Sequence, residues 1–307
     1  MQPIIDLHCD TIHALHTGEC RGNLGLSDAH VDLRWMDEAG KVTTCFALFV
    51  DMQAHSSPWE QAKNLYERFQ EEVQAFNSRI VQVRSPKEHS DGALHQAILT
   101  VEELGILEGR LDRVATIASW GVRLATLTWN HENELGYPHH MKGTLKPFAY
   151  EVIEAMEHHN ILVDVSHLND EGFFAVAGSA KRPFLASHSN ARAVTNHSRN
   201  LSDEMIRKIA DAGGIIGLNF CPSFLSEDWG HSSIEAMVAH AMHIHQVGGS
   251  SVLALGTDFD GISGTLDVEH YPQLAMLHEA LLKAGLSSDA LEKMWYGNAL
   301  RELSEGL

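Results

Sequence analysis

Two periods of hydrophobic and polar positions alternate along the chain. Short apolar, β-branched runs occur at Ile4–Leu7, Thr43–Val50, Ala97–Val101, Arg123–Thr128, Ile161–Val165, Pro183–Ser187, Gly214–Phe220 and Val252–Gly256, and each reads as a strand buried on both faces. Between them lie stretches with helical spacing, at about Trp59–Phe76, Ile106–Trp120, Tyr150–His158, Asp170–Ser179, Ser202–Ala212 and Ser233–Val247. Two more, Gln273–Lys283 and Ser288–Leu303, follow the last run. Strands that alternate with helices pair in parallel, and eight such units in 307 residues predict a closed (β/α)8 TIM barrel of the α/β class. No composition shift or Pro/Gly/Ser linker divides the chain, so residues 1–307 are expected to form one catalytic barrel domain. The segment from Asp51 to Gln96 is longer than one helix requires and should carry extra turns. The polar stretch from Asn130 to Leu145 is a loop of the kind that covers an active site.

The polar residues fall at the carboxyl ends of the strands. His8 and Asp10 follow the first run two residues apart, so in an extended strand they project together while Leu7 and Cys9 face the other way. Glu102 ends the Ala97–Val101 run, His167 follows Val165-Ser166, His188 follows Ser187, and Asp258 follows Gly256-Thr257. Active sites of barrels are built on that rim, because the loops converge there while the strands hold the side chains rigidly. Three histidines and three acids suit two divalent ions, such as Zn2+, joined by a shared carboxylate about 3.5–4 Å apart with a bridging water. A hydroxide bridging two such ions would attack an amide, and Asp258 could carry a proton from that water to the leaving nitrogen. A sixth metal ligand or a helix cap are the other readings of Asp258.

Composition narrows the partners. A net charge of −19, from 22 basic and 41 acidic residues, argues against nucleic acid or an anionic membrane surface. Four dispersed cysteines without a CxxC pair predict free thiols, and the absence of a leader or an apolar run of membrane-spanning length predicts a cytoplasmic protein.

The set His8-Cys9-Asp10, Glu102, Val165-Ser166-His167, Ser187-His188-Ser189, Arg199-Asn200 and Gly256-Thr257-Asp258-Phe259-Asp260-Gly261 resembles the membrane (renal) dipeptidase family, peptidase family M19, within the amidohydrolase-like barrels. The resemblance runs nearly end to end with the motifs in the right order. It implies that His8, Asp10 and Glu102 hold one zinc, and that Glu102, His167 and His188 hold the other. It also implies that Asp258 moves the proton, and that Arg199 pins the carboxylate of a free dipeptide, including dipeptides with a C-terminal D-residue. Asp260 is expected behind the site or at the substrate amine. Two positions depart from the family pattern. Trp129 stands where the family has a histidine, with His131 two residues on to take its place, and Glu103 stands where the family usually has glycine. The absence of a leader and a lipid-anchor tail suggests a bacterial-type member, with a homodimer among the possible assemblies. A related barrel acting on a lactone, cyclic amide or phosphoester is the rival enzyme, and a non-catalytic metal-binding protein is the rival outside enzymes. No lysine ends a strand to supply the carboxylated bridge of phosphotriesterase-like sites.

Overall fold

The computed structural model describes residues 2–88, 92–227 and 230–305. Seven parallel strands curl into one sheet in the order Leu162–Asp164, Leu124–Thr126, His95–Glu102, Val42–Phe49, Ile4–Cys9, Leu253–Leu255 and Ile216–Leu218. A short strand, Ile80–Gln82, lies beside the first half of His95–Glu102. The ring closes through the expected sixth stave, where Asp164 pairs with Leu185 and Ala186 with Ile216, both parallel. The barrel is therefore complete, but this stave is two bridges long rather than a regular strand. A Cβ on Gly217 or on Gly256 would lie 1.8 Å from the Ser187 carbonyl oxygen, so these two glycines let that backbone press between its neighbours.

The helices Pro58–Ala75, Pro147–His158, Asp170–Ser179, Asp203–Asp211, Ile234–Gly248 and Leu274–Lys283 agree with the periodicity to within a few residues at each end. The expected helix over Ile106–Trp120 divides into a 3-10 turn, Leu104–Leu107, and a helix, Asp112–Ser119. Left-handed backbone at Glu108 (φ 49°) and Gly109 (φ 73°) breaks the run, a cost the apolar spacing does not register. Short helices at Thr11–Thr17 and Leu33–Ala39 have too few turns to produce a periodic signal. No helix among the described residues is long and apolar enough to cross a membrane.

The core has two layers. Ile5, Leu7, Cys45, Ile98, Leu124, Leu162, Leu185, Ile215 and Ala254 fill the barrel, and Ala299 and Leu303 of the last helix pack against them. A larger set, from Ile4, Phe46, Leu99 and Val163 outward, lies between strands and helices. Each fully buried Leu, Ile or Phe contributes roughly 1.5–3 kcal/mol. The first strand departs from strict alternation, because its register against Val42–Phe49 shifts between Asp6 and Cys9. Leu7 therefore stays with the interior layer, His8 joins Glu102 at the barrel mouth, and Cys9, like Ile4 at the other end of the strand, packs in the outer layer.

Candidate metal centre

The six rim residues meet at the carboxyl end of the barrel. His8 Nε2 lies 3.3 Å from Asp10 Oδ2, 3.6 Å from Glu102 Oε2 and 3.9 Å from Asp258 Oδ1. The other Glu102 oxygen, Oε1, lies 3.0 Å from His167 Nε2 and 3.4 Å from His188 Nε2. The carboxylate thus faces one histidine with one oxygen and two with the other. Ligand atoms that all lie within 4.8 Å of one another group as His8, Glu102 and His188, and as His8, Asp10 and Asp258. This grouping differs from the expected partition by placing His8 in both sets. The split of Glu102 between its two oxygens favours the expected partition, since a bridging carboxylate offers one lone pair to each side.

Neighbouring bonds orient the donors. Ser187 Oγ gives its hydrogen to Asp164 Oδ2 (2.5 Å), so His188 Nδ1–H must donate to that same Oγ (2.7 Å), and its Nε2 lone pair is left for the centre. His167 Nδ1–H donates to Asn130 Oδ1 at 3.0 Å with the same result. Asp258 Oδ2 accepts from Asn219 Nδ2 at 2.9 Å. Asp6 ties the first strand to the Asp258 strand by accepting from Thr257 N and Oγ1 and from the Tyr271 hydroxyl. His167 and Asp258 both have left-handed backbone, at φ 67° and 64°, which a side chain adopts only where the surroundings impose it. A Cβ on Gly261 would lie 2.1 Å from Asp10 Oδ2 and 2.8 Å from Asp258 Oδ1, so only glycine leaves the centre open.

The electrostatics call for a cation. Burial opposes charge on His8, yet Glu102 and Asp10 override it and hold the imidazole well above the ordinary histidine range. Burial holds His188 well below that range and, with Arg199, brings His167 down to about 4. Burial would raise Glu102, but the charge of His8 leads the influences that pull it well below the usual carboxylate range. Burial pushes Asp258 up to about 7 against the pull of His8, with Asp10 and Glu102 adding to the rise. A bound cation would reverse that rise. Asp10 Oδ1 is buried with no hydrogen-bond partner among the described residues. Three buried carboxylates, neutral histidines with free Nε2 atoms and an orphaned oxygen fit divalent metal ions as the missing partner.

A cleft of about 260 Å3 opens onto this centre, lined among others by Asp10, Glu102, Trp129, His167, Phe224 and Asp258. Arg199 is buried, with its guanidinium 5.2 Å from the ring of the cleft residue Phe224, Nη1 donating to Ser189 Oγ (3.3 Å), Nη2 to the His188 carbonyl (3.1 Å) and Nε unpartnered. No carboxylate among the described residues lies within 4 Å of it. The two remaining expected residues do different work. Asp260 accepts from Thr11 Oγ1 at 2.5 Å, His30 N at 2.6 Å and Val31 N at 3.3 Å, so although it lines the cleft its carboxylate fastens the 29–31 loop. His131 lies outside the cleft lining, 3.4 Å from Asp51 Oδ1, and Trp129 and Asn130 stand in the lining instead. The sequence reading missed Asn130, Asp164, Ser187 and Asn219 as orienting groups. Asp164 and Asp6 carried a signal, an acid inside an otherwise apolar run. Asn130 and Asn219 carried none, because a lone amide on a loop looks like any turn residue.

A closed parallel barrel with a histidine and carboxylate cluster on its carboxyl rim is the architecture of the metal-dependent hydrolase barrels. The chain belongs to the membrane dipeptidase family (peptidase family M19), which it matches over residues 1–305. A solved metallopeptidase from Rhodobacter sphaeroides, bound to a phosphinate mimic of the dipeptide L-Ala-D-Ala, is 25% identical with a TM-score of 0.90, covering 98% of each chain. An uncharacterized dipeptidase of Schizosaccharomyces pombe is 31% identical over 67% of this chain and 52% of its own length. A dipeptidase of Aspergillus oryzae, aclJ, is 30% identical over 71% of this chain and 53% of its own. The chain thus spans about half the length of these two fungal relatives.

Proposed function

We propose that the protein is a binuclear zinc dipeptidase that hydrolyses free dipeptides. The observation that carries this reading is Glu102, whose two oxygens face His8 on one side and His167 with His188 on the other. His8, Asp10 and Glu102 would hold one ion, and Glu102, His167 and His188 the second. Two ions held there would supply an activated water at neutral pH and would polarise the scissile carbonyl. Asp258, steadied through Oδ2 by Asn219, keeps Oδ1 on the side of the centre and moves the proton from the attacking water to the leaving nitrogen. Arg199 pairs with the substrate's terminal carboxylate, which limits length because a third residue would carry that group away. The ligand of the Rhodobacter sphaeroides relative makes a C-terminal D-residue the first to try. The same reading takes residues 1–307 as one cytoplasmic barrel domain, with a homodimer as the assembly to test by light scattering.

A panel of L,L- and L,D-dipeptides, esters and lactones, assayed alongside metal analysis of the same preparation, tests the proposal. Dipeptide turnover with about two zinc ions per chain is expected. Hydrolysis of lactones or esters alone, or full activity with one ion, would overturn it.

Arg199→Ala gives a sharper result. A hydrogen bond to a charged group contributes about 1.5–3 kcal/mol, so kcat/KM for a dipeptide should fall about 10- to 150-fold. The C-terminal amide of that dipeptide should be a poor substrate for both proteins. Equal cleavage of acid and amide by the wild type would remove Arg199 as the anchor.

A further inference from the structure

We infer that Glu103 is a positioning residue, whose buried carboxylate fixes the turn from Trp129 to Asn133 and, through Asn130, the ring of His167. Glu103 has left-handed backbone at φ 92°, a conformation that side chains rarely adopt, and it is fully buried. Among the described residues no Lys, Arg or His nitrogen lies within 4 Å of its carboxylate. Three hydrogen bonds satisfy it instead. Oε1 accepts from Gly105 N at 2.6 Å and Asn133 Nδ2 at 2.5 Å, and Oε2 accepts from Trp129 N at 2.8 Å. The carboxylate therefore joins the loops that follow two neighbouring staves, His95–Glu102 and Leu124–Thr126.

The turn is held at both ends. Trp129 N is fastened at its start, and Asn133 at its end donates also to the Leu127 carbonyl (2.8 Å) and accepts from Leu135 N (2.7 Å). A Cβ on Gly105 would lie 2.6 Å from Glu103 Oε1 and 3.1 Å from Asn133 Cβ, so the chain is bare where the carboxylate crosses. Between the two anchors, Asn130 Oδ1 takes the Nδ1–H of His167 at 3.0 Å, which keeps Nε2 free 3.0 Å from Glu102. The Trp129 ring packs edge-on against Phe49 at 4.7 Å and stands 6.3 Å from the His167 ring. Because Trp129 and Asn130 are consecutive, a shift of the Trp129 amide carries the Asn130 acceptor with it. Glu102 and Glu103 thus point to opposite sides of one strand end, the first toward the ligands and the second toward the loop that aims one of them.

Glu103→Gln keeps the shape but places an amide NH2 against at least one of the three donors. Glu103→Gly suits the left-handed backbone and removes the acceptor altogether, so it tests the same link should the glutamine variant fold poorly. In 15N NMR of the metal-free protein, with the His167 signals assigned by His167→Gln, the wild type should show the Nδ1–H tautomer. Both Glu103 variants and Asn130→Ala should lose that preference. Zinc affinity measured against a competing chelator should fall about 10- to 100-fold in each, the range for losing a group that orients a ligand. The double variant Glu103→Gln with Asn130→Ala should be no worse than the more affected single, since both act through one bond. A lowered Tm with wild-type tautomer and zinc affinity would make Glu103 purely structural, and additive losses would remove Asn130 from the route. The zinc readout rests on the proposed metal centre. Should the wild type bind no zinc, that proposal fails and the tautomer alone decides the role of Glu103.

Discussion

Asp258→Asn is expected to lower kcat by about 10²–10⁴ while zinc content, KM and Tm stay near wild type. The side chains have the same shape. Asparagine tolerates the φ of 64° at this position, and its oxygen can still accept from Asn219 Nδ2, now 2.9 Å from Asp258 Oδ2. What disappears is a basic oxygen 3.9 Å from His8 Nε2, beside the centre and able to take and return a proton. Asn219 holds Oδ2, so Oδ1 is the oxygen left on the side of the centre to take up and return a proton. Loss of one zinc equivalent from Asp258→Asn would change its role to that of a ligand. Its place within 4.8 Å of His8 and Asp10 ligand atoms makes that outcome concrete.

What could be read in the sequence was what period and position carry. Strands such as Ala97–Val101 and Ile161–Val165 are apolar on both faces because a parallel barrel buries both, so their ends, and with them Glu102 and His167, were visible. The sixth stave was visible by the same rule, although in three dimensions it is only a pair of bridges around Leu185 and Ala186. The shift between Asp6 and Cys9 was not, since alternation put Leu7 opposite His8 and only pairing with the next strand reveals that Leu7 stays in the interior layer while His8 joins Glu102 at the barrel mouth. The loops were least legible. His131 was the natural substitute at Trp129 by residue type, but the turn's direction is set by buried bonds from Glu103 and Asn133, and these leave Asn130 in the lining. Asp260 likewise reads as a free acid in a motif until the amides of His30 and Val31, more than 200 residues away in sequence, are seen to use it.

Glu102→Gln should have a larger effect, removing both metal ions and activity together. The carboxylate is buried and its charge is divided, with Oε2 3.6 Å from His8 Nε2 and Oε1 3.0 Å and 3.4 Å from His167 and His188. Glutamine fills the same volume but must present its NH2 to one side, a donor where a lone pair is needed, and it supplies no charge to the other. A single-site ligand such as Asp10 should, when changed to Asn, cost one ion and leave the second. Metal catalysis contributes several kcal/mol, so about 4 kcal/mol lost is near 10³ in rate, and Glu102→Gln should turn over at or below about a thousandth of wild type. The fold should survive, because no backbone group depends on the Glu102 side chain among the described residues, and Asp10 Oδ2 remains 3.3 Å from His8 Nε2 to compensate the imidazole. Elemental analysis of wild type, Asp10→Asn and Glu102→Gln should therefore give about two, one and no zinc ions per chain. Normal zinc content and turnover in Glu102→Gln would mean that the two halves of the centre are joined by some other group, and Asp258, whose Oδ1 lies 3.9 Å from His8 Nε2, would be the one to change next.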